Sequence, residues 1–442
     1  MHFQDSNDRY YKKAPGTPIG HPNYVAAALT AKRASHDRLL DAIPSVSDTQ
    51  VAFLLLLQCA CPRANYLLRV LPPSQTDAFA QAHDTAIAAC LARILTEGTP
   101  LPLPAQQRAR LALAAGGLGL RSAHASRQAA YWASWADSLP AIHRRLPAAA
   151  DRILHLLRGE VRPLPPAVIE ATQATHALRA HGFQPPAWDT LTLPGPPQPL
   201  PRDAGDYHRG WQRLASTAQD RNELAALLSD LDPSSRALLH SQAGPYASRT
   251  LTVYPTNPEY TLSPEHFRVC LLRRLRLPLP FTNHRCSCGG ALDPLGDHRA
   301  ACATSGFLRA RSIPLERAVA RICREAGGRV RTNVLLRDMN LPCPPPDARA
   351  IEVLVGGVPL WHGAQIAIDA TLMSPIHRNG EPRPRAASEP GVTLNQAARR
   401  KCTQTYPEFQ SSTRCRLAVF GLEVVFRSRA PRPAPRPSTR PN

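Results

Sequence analysis

The sequence predicts a multidomain chain with a mostly α N-terminal part, a small zinc knuckle and a C-terminal α/β domain. Three observations carry that expectation. Ala/Leu-rich segments with apolar residues three and four apart run through residues 23–157. A tight Cys/His group follows at Cys286, Cys288, His298 and Cys302. Beyond it, the pattern changes to short β-branched and alternating segments.

The composition limits the possibilities. A chain of 442 residues with 43% hydrophobic content can bury real cores, while 46 prolines require long loops or linkers. The 11 cysteines are scattered and odd in number, which argues against a disulfide scaffold and for a reducing compartment. Residues 1–18 hold no apolar leader core, and residues 51–57 form the longest uncharged apolar run, so the expectation is a chain neither secreted nor spanning a membrane. The 53 Lys and Arg against 33 Asp and Glu give a formal charge of +20, which suits a polyanionic partner. Lysine occurs only at Lys12, Lys13, Lys32 and Lys401. The Arg, Ala and Pro excess also fits codon bias in a GC-rich genome, so spaced motifs carry the functional argument.

Within the helical block, residues 79–95 and 106–115 show the clearest helical period, divided by Pro72-Pro73 and the prolines of residues 100–104. Gly116-Gly117-Leu118-Gly119-Leu120-Arg121 lacks the Lys-Ser/Thr of a phosphate loop and follows no strand, so it reads as a tight packing turn. Prolines crowd residues 162–203 and favour extended backbone, which makes that stretch the linker. Helices are expected over 211–242 and 264–277. Residues 315–326 form a further helix closed by Gly327-Gly328. Strands over 330–336, 351–355, 364–368 and 417–426, with a helix over 394–405, complete an α-β-β-β-α-β order. Residues 427–442 carry five Arg, five Pro and no acid, a disordered basic tail. The resulting divisions are 1–158, 159–205, 206–280, 281–305, 306–427 and 428–442.

Two constellations carry chemistry. Cys286, Cys288, His298 and Cys302 stand in Cys-x-Cys-x9-His-x3-Cys spacing and supply three thiolates and one imidazole for a tetrahedral structural Zn²⁺. Gly289-Gly290 lets the backbone turn back around the ion, and His284 competes with His298 as the nitrogen ligand. So short a segment cannot bury a core, so the metal would supply its folding free energy.

The second constellation is Pro346-Asp347, Asp369 and Lys401. Asp347 enters a strand, Asp369 ends the next, and Lys401 lies on the following helix. Two carboxylates at adjacent strand ends repel each other unless a Mg²⁺ takes both, and a lysine beside them would stabilise charge on a phosphorane. Glu316 is a candidate further ligand, Glu352 an alternative second carboxylate, and Tyr406 a residue that packs, or else contacts DNA, beside Lys401. Singly, each also fits a plain role: a turn residue, a strand-end cap, a solvated helix lysine. The chain shows no Gly-x-Ser-x-Gly elbow, no His-Glu-x-x-His and no dinucleotide fingerprint.

The order of Cys286, Cys288, His298 and Cys302, then Pro346-Asp347, Asp369-Ala370-Thr371, and Lys401 followed by Tyr406 resembles the C-terminal part of non-LTR (LINE-type) retrotransposon polyproteins that carry a restriction-enzyme-like endonuclease. Gly16-Thr-Pro-Ile-Gly20, Leu67-Leu68-Arg69-Val70-Leu71-Pro72-Pro73 and Gly116–Ser122 are similar to thumb and connector segments of such reverse transcriptases. The resemblance implies a restriction-endonuclease-like fold over 306–427 and PD-(D/E)-x-K residues at Asp347, Asp369 and Lys401, with the lysine moved to a helix. It also implies a nick that primes reverse transcription. No Tyr/Phe-x-Asp-Asp motif is present, so the polymerase part would lie on another polypeptide and this chain would be a fragment or truncated copy. DNA and RNA are the expected partners, in the nucleus or the nucleus and cytoplasm.

Overall fold

The computed structural model describes residues 12–14, 16–193, 210–244, 246–280, 285–304, 307–339, 341–344, 346–423 and 428–429. The chain forms two compact units that interleave in sequence. The first comprises Met1–Ala112, Leu118–Asp230 and Leu251–Leu271; the second comprises Leu113–Gly117, Leu231–Thr250 and Leu272–Asn442. The C-terminal tail and residues 194–209 lie outside the described residues apart from Ser428–Arg429.

The first unit is helical. After a short hairpin of β1 (Lys12–Ala14) and β2 (Thr17–Ile19) come α1 (Pro22–Ala42), α2 (Thr49–Leu55), α3 (Asn65–Val70), α4 (Pro73–Thr96) and α5 (Leu103–Arg110). They are followed by α6 (Ala123–Arg145), α7 (Pro147–Leu157), α8 (Pro166–Ala180) and α9 (Trp211–Asp230). The central element is α6, because its alanines let helices approach from two sides. Ala129, Ala133 and Ala136 face a core with Val168, Ala171, Leu178 and Trp211, while Ala123 and Ala130 face Val25, Leu67, Leu68 and Phe79. Its start is fixed from another helix: the Asp84 carboxylate accepts from the Ala123 N–H at 2.7 Å and the His124 N–H at 3.2 Å, satisfying donors a helix start leaves open.

One expectation is corrected here. Residues 159–205 do not form a linker throughout, because α8 lies inside them and buries Val168, Ala171, Ala174 and Leu178. Pro166 sits in the first turn, where a missing N–H costs nothing, so the prolines start this helix. Thr49–Val70 is long and apolar enough to cross a membrane by length and composition. Its Phe53, Leu56, Leu67 and Leu68 are buried within the unit.

In the second unit, Pro233 divides the helix expected over 211–242, so that α10 (Pro233–Ser241) is separate and Asp232 caps it through the Ser234 and Ser235 N–H groups. The chain passes between units within α11 (Arg249–Thr252) and α12 (Pro264–Leu275). Then follow α13 (Asp297–Ala301), α14 (Phe307–Glu325), β3 (Arg329–Leu335), β4 (Ala350–Gly356), β5 (Gln365–Met373), α15 (Val392–Arg400), β6 (Cys415–Glu423) and β7 (Ser428–Arg429).

The strands form one sheet in the order β3-β4-β5-β6-β7. Only the β5–β6 pair is parallel, and α15 makes its crossover. Val319 and Ala320 of α14 pack with Val353, Val355, Ile366 and Ile368, while Tyr406 and Phe409 pack with Leu354 and Ala367. The central strand β5 is buried from Ile366 to Thr371. Asp369 is therefore mid-strand and fully buried, not at a strand end as its sequence indicates.

Candidate functional site

The Cys/His group closes into a compact knuckle. An isolated antiparallel bridge joins Arg285 to Ala291, the Cys286 N–H donates to the Gly290 carbonyl at 2.8 Å, and the Gly289 N–H donates to the Cys286 carbonyl at 2.9 Å. A Cβ on Gly290 would stand 2.7 Å from His298 Cε1, so glycine is what allows the imidazole to lie over the turn. On the returning limb, Asp293 accepts from the Leu295, Asp297 and His298 N–H groups at 3.0, 3.0 and 2.7 Å and caps α13. Burial pushes the Asp293 carboxyl up, but these donors hold it below the usual carboxylate range.

Cys286 Sγ, Cys288 Sγ, Cys302 Sγ and a His298 ring nitrogen all lie within 4.8 Å of one another. A tetrahedral zinc with bonds of about 2.3 Å to sulfur asks for little adjustment of such a set, so the four could hold a zinc ion. His298 Nδ1 is 3.2 Å from the Arg378 carbonyl, which can only accept. That contact puts the proton on Nδ1 and leaves Nε2, 3.2 Å from Cys288 Sγ, as the ligand atom. Asp297, buried next to His298 in the chain, is held by Arg276 at 2.5 Å and Arg273 at 3.4 Å. The rival ligand His284 lies outside the described residues.

The second site is built on β5. Lys401 Nζ donates to Asp369 Oδ2 at 2.7 Å, and Thr371 Oγ1 donates to Asp369 Oδ1 at 2.5 Å. Lys401 opens a π-helical turn, Lys401–Thr405, that continues α15; such turns shift side-chain direction within a helix and recur at functional sites. The Lys401 ammonium also stands 5.5 Å over the Tyr406 ring, whose hydroxyl donates to the Ala350 carbonyl at 3.1 Å. Burial, then Asp369 and Glu352, push the Tyr406 phenol up.

Glu352 belongs to the same site. The β4–β5 ladder pairs Val353 with Ile368 and Leu354 with Ala367, and one further step in that register puts Glu352 across from Asp369. Burial and the Asp369 charge push the Glu352 carboxyl up to about 7 against the opposing pull of Lys401, and Glu316 adds a smaller push. Glu352 Oε2 is buried with no hydrogen-bond partner among the described residues.

Asp347 is placed differently. Its backbone N–H donates to the Pro344 carbonyl at 3.0 Å, and every hydrogen bond its carboxylate accepts among the described residues comes from Arg349, through the backbone N–H at 2.9 Å and the guanidinium at 2.6 to 3.0 Å. These contacts hold its carboxyl below the usual carboxylate range. Arg349 also grips Glu408 and donates to the Thr405 carbonyl. The structure thus brings together Asp369 with Lys401, and the four knuckle ligands with one another, while Asp347 is engaged by Arg349. Thr371 was visible in the Asp-x-Thr pattern without a role. Arg349, Glu408 and Asp293 gave no motif signal, because their partners are set by long-range packing and local capping. No protein-family model matches the chain, and no curated protein matches it.

Proposed function

We propose that this is a retrotransposon-derived nucleic-acid-binding protein whose C-terminal α/β part is a restriction-endonuclease-like domain that nicks DNA, with a structural zinc knuckle before it. The observation that carries the reading is the contact of Lys401 Nζ with Asp369 Oδ2 on the central strand. A carboxylate and an ammonium at that position, with Glu352 beside them, are the groups that phosphodiester hydrolysis assisted by Mg²⁺ requires.

A divalent ion would polarise the scissile phosphate and make water a better nucleophile. Asp369 supplies one hard oxygen ligand, and Thr371 fixes the orientation of its carboxylate. The second carboxylate comes from the β4 side: Asp347 by the sequence pattern, Glu352 by its place on the strand, one ladder step beyond the Val353–Ile368 pair. Lys401 neutralises the charge that develops on the phosphorane. Arg399 and Arg400, exposed in the last turn of α15, supply phosphate contacts next to it. The polymerase would reside on another polypeptide, and the place of action would be the nucleus.

The test is supercoiled-plasmid nicking by the full chain in Mg²⁺, with Asp369→Ala prepared identically. Nicking that disappears in the variant supports the enzyme. A second reading, a catalytically inactive module that binds DNA or RNA through the knuckle and arginine faces, is favoured by one observation: Lys401 and Thr371 already satisfy both oxygens of Asp369. Salt-dependent binding without nicking in either protein would decide for that module.

A further inference from the structure

We infer that Glu352 is the carboxylate that joins Asp369 in holding a divalent ion, and that Asp347 is a positioning residue that sets the Lys401 turn through Arg349. The inference rests on the nuclease reading and changes which residues do what within it.

Placement and hydrogen bonding separate the two acids. Glu352 stands one ladder step from the Val353–Ile368 pair, which puts it across from Asp369, and its Oε2 is buried without a donor. A buried carboxylate oxygen left without a partner costs free energy unless some ligand takes it, and a hard cation between Glu352 and Asp369 is such a ligand. Lys401, 2.7 Å from Asp369, already supplies positive charge at the same place, so the site is arranged around compensating carboxylates. Asp347, by contrast, spends both oxygens on the Arg349 guanidinium. The other end of that guanidinium donates to the carbonyl of Thr405, the last residue of the π turn that Lys401 opens. The chain Asp347, Arg349, Thr405 therefore leads to the lysine. Glu408 grips the same guanidinium, so Arg349 is held from two sides and the turn is fixed at the end that Thr405 closes.

The test is Mn²⁺ binding by the zinc-loaded full chain, followed by electron paramagnetic resonance of the free ion, for wild type, Glu352→Gln and Asp347→Asn. Glu352→Gln is expected to weaken Mn²⁺ by about tenfold or more, and Asp347→Asn by less than about twofold. A larger loss in Asp347→Asn than in Glu352→Gln, or no Mn²⁺ binding by wild type, overturns the inference. If Glu352→Gln does not fold, Glu352→Asp, which keeps the charge and withdraws it by one methylene, is expected to show the same ordering. In the nicking assay, Asp347→Asn and Arg349→Lys should lower the rate at saturating metal while leaving the half-saturating metal concentration unchanged. Mn²⁺ binding that depends on Glu352 without nicking would sink the nuclease reading and leave this site standing. Nicking that survives Glu352→Gln would sink this assignment alone.

Discussion

Lys401 Nζ lies 2.7 Å from Asp369 Oδ2, an ion pair between a π-helical turn and the centre of a five-stranded sheet. The carboxylate is fully buried, while the lysine side chain is 20% exposed. Removing the cation alone leaves a buried charge facing the sheet interior, which typically costs 3–5 kcal/mol, so Lys401→Met should lose about 3 kcal/mol in urea denaturation of the second unit. The double variant Lys401→Met with Asp369→Leu removes both charges and should recover most of it. A single variant as stable as wild type would mean the pair is open to water.

The same lysine separates chemistry from binding. Lys401→Ala should abolish plasmid nicking while changing DNA affinity by less than about twofold, because one ammonium among many arginines contributes little counterion release. An affinity loss matching the loss of cleavage would make Lys401 a phosphate contact instead.

The knuckle should bind about one zinc per chain, because its segment is too short to hold its fold by apolar burial. Elemental analysis of the purified chain reads the stoichiometry, and a cobalt-substituted sample should show thiolate-to-cobalt charge-transfer bands that Cys302→Ser diminishes. Gly290→Ala is the sharper probe: its Cβ would meet His298 Cε1 at 2.7 Å, so metal affinity should fall by about tenfold although no ligand has changed. Unaltered affinity would mean that His298 is not the nitrogen ligand.

What could be read from the sequence follows from how local each cause is. The knuckle spacing and its glycines are local, and the four ligands converge as their order indicates. The α-β-β-β-α-β order was legible from β-branched runs and helical periods. The central strand was read short because both faces of β5 are buried, so Ile366 to Thr371 shows no polar alternation to mark its end. Prolines concealed α8, since at a helix start they favour the helix they would break further in. The contacts of Arg349 with Thr405 and Glu408 join residues more than fifty apart in the chain, and no local pattern encodes them.

A buried arginine in the second unit offers a further test. Arg274 is fully buried, and its guanidinium donates to the carbonyls of Gly117 at 2.9 Å and Leu113 at 2.8 Å. Burial lowers its pKa to about 10, which still leaves it charged at neutral pH. Arg274→Met would leave those carbonyls without their donor and should lose about 3 kcal/mol. Arg274→Lys should recover only part, because one ammonium cannot reproduce the fork that reaches both carbonyls. Full rescue by lysine would show that charge, not geometry, is what the site needs.

The first unit should weaken in acid through His36. Its ring is buried and edge-on to Phe79 at 5.8 Å and to His83 at 5.6 Å, and its Nδ1 has no hydrogen-bond partner among the described residues. Burial, followed by the charges of His83, Arg63, Lys32 and Arg33, lowers its pKa to about 4. The unfolded chain protonates near 6.5, so the stability tied to the neutral ring is complete above that pH. It is lost as pH falls from 6.5 towards 4, by about 3 kcal/mol for a shift of this size. His36→Phe keeps the packing and removes the titration, so urea midpoints of wild type and variant should diverge between pH 7 and pH 4.5, with wild type falling faster. His83, also lowered by burial, remains in both proteins, so the difference between the curves reads His36 together with its coupling to His83. Parallel curves would mean that His36 is solvated enough to protonate within the folded unit.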